Sequence, residues 1–261
     1  MPFTLATWNI NSVRLREDLV LKLANEEQPD VICLQECKSP VELIPVEQMK
    51  AAGYGHMVAR GQKGYNGVAI FSKLPLREVG GYDLVDLGHA RHVAAELPNG
   101  VVIHNFYVPA GGDIPDRAEN IKFGQKLDYV AAMRDWTRKE KPKKSILVGD
   151  LNIAPFEDDV WNHKQLLKIV SHTPVETDLL NEARDEGWVD ITRQDVPTGK
   201  LYSWWSYRSP DWDAADKGRR LDHVWATPDI AGAGHSSRVH RAARGWEKGS
   251  DHAPVFASFD L

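Results

Sequence analysis

The sequence predicts an α/β fold in which two packed β-sheets are flanked by helices. Three observations lead there. Strand-like runs recur along the whole chain, only three or four segments have helical spacing, and those helices are spread among the strands rather than gathered at one end. The opening residues also read strand, helix, strand, a βαβ unit with a buried parallel pair.

Phe3-Thr4-Leu5-Ala6-Thr7-Trp8 alternates weakly and ends at Asn9-Ile10-Asn11. Ser12 is expected to cap a helix near 13–27, with Val13, Leu15, Leu19, Val20, Leu21 and Leu23 apolar, stopped by Pro29-Asp30. Val31-Ile32-Cys33-Leu34-Gln35-Glu36 is a strand that stays apolar until its end. A short helix near 46–52 closes at Gly53, and strands follow near 55–60, 66–73 and 76–79. Segments 92–97 and 101–107 flank Pro98-Asn99-Gly100 as a hairpin. A helix covers 116–139, and its basic tail suits a solvated C-terminus. Lys143 to Asn152 reads as a buried strand whose end delivers Asp150 and Asn152 to one side if the chain stays extended. A local Asx-turn is the competing reading of that pair. Thr173-Pro174-Val175-Glu176 is a capping box with proline at the first helical position. Further strands are expected near 188–192, 201–206, 220–226, 237–243 and 253–260. No repeat or long linker divides the chain, which reads as one domain over 1–261.

The chemistry gathers at strand ends: Asn9 and Asn11, Glu36, Tyr107, Asp150 and Asn152, Asp222, and Asp251-His252. Charged groups at the ends of buried strands are costly unless paired or metal-bound. If these ends converge, they form a site of carboxylates, amides and one imidazole with no thiolate. That donor set suits Mg²⁺ or Mn²⁺, and the fitting reaction is attack of water on a phosphate ester. Asp150 is the candidate base, Asn152 orients the water, and Asp222 fixes His252 in one tautomer or keeps it protonated.

Of the 261 residues, 42% are hydrophobic and 26% charged, as in a soluble globular protein. No apolar run approaches the roughly 20 residues needed to span a bilayer, and no signal peptide is evident. The only cysteines, Cys33 and Cys37, lie on one expected strand segment. At roughly 13 Å of strand they are too far apart for a disulfide. Free thiols imply a reducing, cytoplasmic setting. The net charge of −5 weighs mildly against a nucleic-acid binder. Basic residues nonetheless cluster at Arg219-Arg220 and over 238–244, where a solvated face competes with a phosphate-contacting edge. Trp161, Trp188, Trp225 and Trp246 are expected to pack, and His104, His163, His172 and His223 to be structural or surface residues.

Trp8-Asn9-Ile10-Asn11, Leu34-Gln35-Glu36, Tyr107-Val108-Pro109, Gly149-Asp150-Leu151-Asn152, Arg220-Leu221-Asp222 and Ser250-Asp251-His252 occur in the order found in exonuclease III. Segments 62–69 and 202–208 strengthen the match. The chain therefore resembles the exonuclease III family of apurinic/apyrimidinic endonucleases, over about residues 3–260. The resemblance implies a four-layered α/β sandwich with two packed mixed sheets, dependent on Mg²⁺ (or Mn²⁺). It implies cleavage of the phosphodiester 5′ to abasic sites in duplex DNA, with 3′→5′ exonuclease and 3′-phosphatase activities. Glu36 would be the main metal ligand, with Asn9, Asn11 and Asp251 near the cation. Asp150 and Asn152 would handle water or form a second metal position, and His252 is a further candidate ligand. Tyr107 would donate to the phosphate, and Asp222 and His252 would act on it as a pair. Arg91, Trp204, Trp205 and Arg219 would meet DNA. The family's abasic-sugar pocket is usually apolar, so Arg219 is a departure, able to stack on tryptophan or reach a phosphate. Asn11 departs too, standing where some relatives carry Asp. The implied protein is a monomer with no membrane partner. The competing readings are the same metal site acting on undamaged DNA, a phospholipid or an inositol phosphate, and a silent DNA-binding protein. The silent protein should have lost a member of the set, and every position is filled.

Overall fold

The period-two alternation of the apolar strands sends one row of side chains to each face, so each sheet must be covered twice. The computed structural model, described over residues 3–261, satisfies this with four layers. Strands β1 (Phe3–Asn9), β2 (Val31–Gln35), β3 (His56–Arg60) and β4 (Val68–Ser72) join two late strands in one sheet. β5 (Arg77–Gly80), β6 (His92–Glu96), β7 (Val102–Tyr107), β8 (Ser145–Asp150) and β9 (Val189–Asp190) belong to a second. A two-residue ribbon, β10 (Trp204–Trp205) and β11 (Gly218–Arg219), stands beside them. β12 (Asp222–Ala226) completes the second sheet, and β13 (His235–Val239) and β14 (Val255–Phe259) the first. The strand orders are β13-β14-β1-β2-β4-β3 and β5-β6-β7-β8-β12-β9, both mixed.

Leu5, Val31, Cys33, Ile70, Ile103, Ile146, Val148 and Val224 fill the space between the sheets. The opposite row of the first sheet, with Ala6, Trp8, Ile32 and Leu34, meets helices α1 (Glu17–Glu27) and α2 (Val46–Ala51). Phe106, Leu147 and Trp225 of the second sheet meet α3 (Ile121–Glu140) and a later helix, which bears Leu180 and Ala183. Between α3 and that helix comes the short α4 (His163–Leu166); the later helix is α5 (Pro174–Asp185). A polar staple crosses the interior. Gln35 Nε2 donates to Asn105 Oδ1 at 2.7 Å, while Asn105 Nδ2 donates to the carbonyls of Leu34 and Ala69 at 3.0 Å each. Three of the four polar ends of these amides are paired, and Gln35 Oε1 is buried with no partner among the described residues. Cys33 and Cys37 are buried free thiols. No helix among the described residues is long and apolar enough to cross a membrane.

The expected parallel pair, the hairpin at 98–100 and the capping box at Thr173 are all present. Several boundaries move. Helix α1 begins at Glu17, and Ser12 does not cap it: its φ is +85°. The amides of Ile10, Ser12 and Val13 instead donate to the carbonyls of Gln35, Glu36 and Cys37 at 2.7–3.1 Å. These tertiary bonds hold residues 9–13 alongside Glu36 and delay the helix. Helix α3 starts at Ile121, because Asn120 caps it and Asp116 closes a turn ahead of it. The strand expected at 188–192 stops at Asp190, which caps a further helix, α6 (Ile191–Asp195). Those expected at 201–206 and 237–243 shrink to β10 and to β13, the latter followed by a 3₁₀ turn at Arg241–Gly245.

Candidate active site

Register explains why distant residues meet. Asp150, the last residue of β8, lies opposite Tyr107 of β7 on one side and Asp222 of β12 on the other. Asn9, the last residue of β1, lies opposite Gln35, the residue before Glu36. Gly149 makes the close approach possible: its φ is +142°, and a Cβ there would lie 1.9 Å from the Phe106 carbonyl oxygen.

A single amide joins the two sheets at the site. Asn9 Nδ2 donates to Glu36 Oε1 at 2.9 Å and to Asp150 Oδ2 at 2.8 Å. Asp150 Oδ2 in turn lies 3.8 Å from His252 Nε2, and His252 Nδ1 lies 2.8 Å from Asp222 Oδ2. The result is a continuous row, Glu36–Asn9–Asp150–His252–Asp222. Asp150, Asp222 and His252 each present a ligand atom within 4.8 Å of the others. Asp222 Oδ1 is buried with no hydrogen-bond partner among the described residues.

A second row runs along the cleft side. Lys38 Nζ stands 2.8 Å from Glu36 Oε2 and 2.6 Å from Asn11 Oδ1. Asn11 Nδ2 donates to Asp251 Oδ1 at 3.3 Å, and Trp204 Nε1 donates to Asp251 Oδ2 at 2.9 Å. Asn152 is not extended; its φ is +54°. Its amide donates to Asp150 Oδ1 at 2.9 Å, and its Nδ2 to Asp150 Oδ2 at 3.0 Å and the Val108 carbonyl at 2.9 Å. The local Asx bond and the shared site are therefore both real, and the extended geometry is not needed.

The electrostatics follow from this crowding. Burial would raise the Glu36 carboxyl, but Lys38 and donors from Asn9 and Tyr107 hold it below its usual value. Burial, with Asp222 and Glu36 nearby, pushes Asp150 up to about 7 despite the pull of His252. Burial alone would lower His252; the carboxylates of Asp222 and Asp150 more than offset it and lift it to about 10. Tyr107, buried and facing Glu36 and Asp150, is raised well above its ordinary value and keeps its proton.

These groups open onto a cleft of about 800 Å³, whose lining includes Glu36, Asn152, Asp251 and His252 together with Trp161, Trp204, Lys217 and Arg219. Of the two adjacent tryptophans, Trp204 is half-buried, whereas Trp205 is 2% exposed and packs on Tyr202 and Trp212. Arg219 stacks over Trp204, its Cζ 5.2 Å from the ring centre. Arg91 sits on Tyr107 at 4.7 Å and is spent partly on the Tyr107 carbonyl. Trp161, expected only to pack, also lines the cleft. The arginines at 238–244 are engaged within the fold: Arg238 pairs with Glu27, Arg241 with Asp213 and Asp216, and Arg244 is buried against the Trp205 carbonyl. Arg238 and Arg241 are thus paired near the surface, while Arg244 is buried without an ion pair among the described residues.

Sequence reasoning missed four supporting residues. Ser203 Oγ donates to Asp222 Oδ2 at 2.6 Å and accepts the amides of Leu221 and Asp222. Ser250 Oγ donates to the Asn9 carbonyl at 2.7 Å. Lys126 Nζ is fully buried, donates to the Asn152 carbonyl at 2.8 Å and pairs with Glu176 at 2.5 Å. Lys38 is the fourth. The bonds just named for the serines and Lys126 join residues 18 or more positions apart, which leave no local pattern. Lys38 had a signal: a cation two residues beyond an end-of-strand glutamate.

A model of the endonuclease/exonuclease/phosphatase family matches residues 6–252. The chain is 32% identical over 267 aligned positions to exodeoxyribonuclease III of Haemophilus influenzae, covering 97% of this chain and 98% of that protein. An AP endonuclease from Archaeoglobus fulgidus superimposes with a TM-score of 0.92 at 30% identity, over 99% of this chain and 100% of the other. The 3′ phosphatase NExo from Neisseria, solved bound to a product DNA hairpin, gives 0.91 at 33% identity, over 99% and 100%.

Proposed function

Because this chain belongs to the endonuclease/exonuclease/phosphatase family, we propose that its cleft hydrolyses DNA phosphate esters in repair, as an exonuclease III-type enzyme. The substrates are duplex DNA with abasic sites, cut 5′ to the lesion, and 3′ ends bearing a nucleotide or phosphate. The observation that carries the reading is the row Glu36–Asn9–Asp150–His252–Asp222, drawn from both sheets and open to one cleft.

The residues fit a hard divalent cation. The donors are carboxylate and amide oxygens with no thiolate, and buried carboxylates this close need a positive charge. Glu36 is the central ligand, with Asp251, Asn9 and Asn11 around it; Asp150 and Asn152 could hold a second position. His252, with Nδ1 on Asp222 and Nε2 facing Asp150, shares with those carboxylates a cluster able to hold a cation, and when protonated it serves instead as a donor. When bound, Mg²⁺ or Mn²⁺ would neutralise phosphate charge and make water more acidic.

The protein's own groups do the rest. Asp150 takes the proton of the attacking water. Asn152 spends its Nδ2 on Asp150 and Val108, which leaves Oδ1 to orient that water. Protonated His252, fixed through Nδ1 by Asp222, turns Nε2–H toward a phosphate oxygen, and Tyr107 donates its hydroxyl. The bond from phosphorus to the 3′ oxygen breaks, giving a 3′-hydroxyl and a fragment that keeps the phosphate. All these residues come from one chain, so a monomer suffices, and the free thiols suit the cytoplasm.

One incision assay tests the reading: abasic duplex, recessed 3′ end and 3′-phosphate primer, each with Mg²⁺, Mn²⁺ or EDTA, beside undamaged plasmid, sphingomyelin and inositol phosphates. Metal-dependent cleavage of the repair substrates is expected. Equal cutting of undamaged plasmid, or turnover of the lipid instead, would overturn it.

A further inference from the structure

The cleft continues past the reacting groups, and its far wall carries charge that nothing in the fold neutralises. Arg219 has no ion pair among the described residues. Its Nη1 donates to the Val170 carbonyl at 3.0 Å and to Ser171 Oγ at 2.7 Å, and its Nε is buried with no partner. The nearest acid acting on it, Glu176, is committed to Lys126. Burying a cation without a counter-charge is costly unless a ligand repays it. A second cation with no ion pair among the described residues, Lys217, lies in the same cleft, its Nζ 4.9 Å from the Trp161 ring centre.

Strand pairing relates this wall to the reacting centre. Trp204 is paired with Arg219 on one side and with His252 on the other. Directly paired residues share a face, so Arg219, Trp204 and His252 project to one side. Two strand spacings put the backbones of Arg219 and His252 roughly 10 Å apart. A short group attached to the phosphate at His252 would therefore lie across the Trp204 indole and end at the Arg219 guanidinium. The group that keeps the phosphate is the released one, and at a damaged 3′ end it is short enough to stop at Arg219.

We propose that Arg219 makes this end of the cleft a receptor for an anionic group on the fragment released with the phosphate. The inference rests on the nuclease reading above and names the chemistry that reading leaves open: a carboxylate or phosphate one unit beyond the scissile phosphorus. Two sources supply it, the carboxylate of a 3′-phosphoglycolate end and the next phosphate of an internal abasic site. The step is the same for both. Water oxygen bonds phosphorus, the 3′-oxygen departs and gains a proton, and the fragment leaves with its phosphate. Trp204 supplies the flat apolar floor and Arg219 Nη2, the guanidinium nitrogen not spent inside the fold, the charged donor.

The test compares a primer ending in 3′-phosphoglycolate with its neutral counterpart, the 3′-(2-hydroxyethyl) phosphate ester. The wild-type enzyme is expected to prefer the charged end about tenfold in kcat/KM, the worth of one charge-assisted hydrogen bond. Arg219→Met should reduce that ratio to about one, and Arg219→Lys should keep part of it. An internal abasic site followed by a neutral methylphosphonate, set beside one followed by phosphate, tells whether the backbone is the second source. A wild-type ratio near one, or a ratio unchanged in Arg219→Met, overturns the proposal. A binding measurement keeps it separate from the nuclease reading. Calorimetric titration with free 2-phosphoglycolate and with ethyl phosphate should show the same preference in wild type and its loss in Arg219→Met. If no DNA is cut, the nuclease reading fails and the titration alone decides the role of Arg219.

Discussion

Replacing Lys126 by Met should cost this protein more than any surface change. Lys126 and Glu176 are both fully buried, 2.5 Å apart, and Lys126 also donates to the Asn152 carbonyl at 2.8 Å and the Ala110 carbonyl at 3.3 Å. Removing one partner strands a buried charge, which costs about 3–5 kcal/mol. Glu176 keeps donors from the Ser171 amide, the Thr173 amide and Thr173 Oγ1. The lower end, about 3 kcal/mol, is therefore the expected loss. For a chain of this size that lowers Tm by roughly 6–12 °C. Adding Glu176→Gln removes the stranded charge, so the double variant should recover more than half of the loss. Urea denaturation of wild type, both singles and the double closes the cycle. Because the ammonium pins the backbone of Asn152, kcat should also fall about tenfold at temperatures where the variant is fully folded. A loss below about 1 kcal/mol, or a double variant no better than the sum of the singles, would refute the idea that this pair holds the catalytic loop.

Asp150→Asn and His252→Asn should each lower kcat by about 10²-fold or more under saturating Mg²⁺, and the double should be little worse than either single, because the two act on one event. The pH–rate profile should be bell-shaped. Asp150 works only when ionised, so activity rises on an acid limb at or below about 7, and it falls as His252 loses its proton near 10. Asp222→Asn should move the basic limb to lower pH. Thermal melts without metal should show stability declining as pH rises through 7: the Asp150 carboxyl, raised from 3.8 to about 7, and the His252 imidazole, raised from 6.5 to about 10, both leave the folded state holding more protons near that pH. The Tm gain on adding Mg²⁺ should accordingly be larger at pH 8 than at pH 6; equal gains would count against Asp150 lying beside the cation.

The site was legible because its acids break a rule. Glu36, Asp150 and Asp222 each end or begin a run that is otherwise apolar, where a charge has no packing reason to be. The two-sheet architecture was legible for the same reason, since long apolar strands exceed what the few helices can cover on one sheet. Positions governed by tertiary hydrogen bonds were not legible. Ser12 has the composition of a cap, yet its amide is claimed by Glu36 across the chain. Asp190 sits in a strand-like run but its carboxylate serves the helix that follows and, with Asp159, the buried Arg220. Trp161 and Lys126 are ordinary residues in ordinary contexts, and only the closed fold gives them a neighbour worth having.

Asn9 and Glu36 hang from one sheet, Asp150 and Asp222 from the other, and the Gln35–Asn105 amide pair ties the two together just beneath. The gap across which water and phosphate must fit is therefore set by the side chains stacked behind it. Trimming Val148 or Val224, which touch no substrate, would let the two halves of the reacting row drift relative to each other. Thickness of the oily interior is, in this molecule, one of the dimensions of its chemistry.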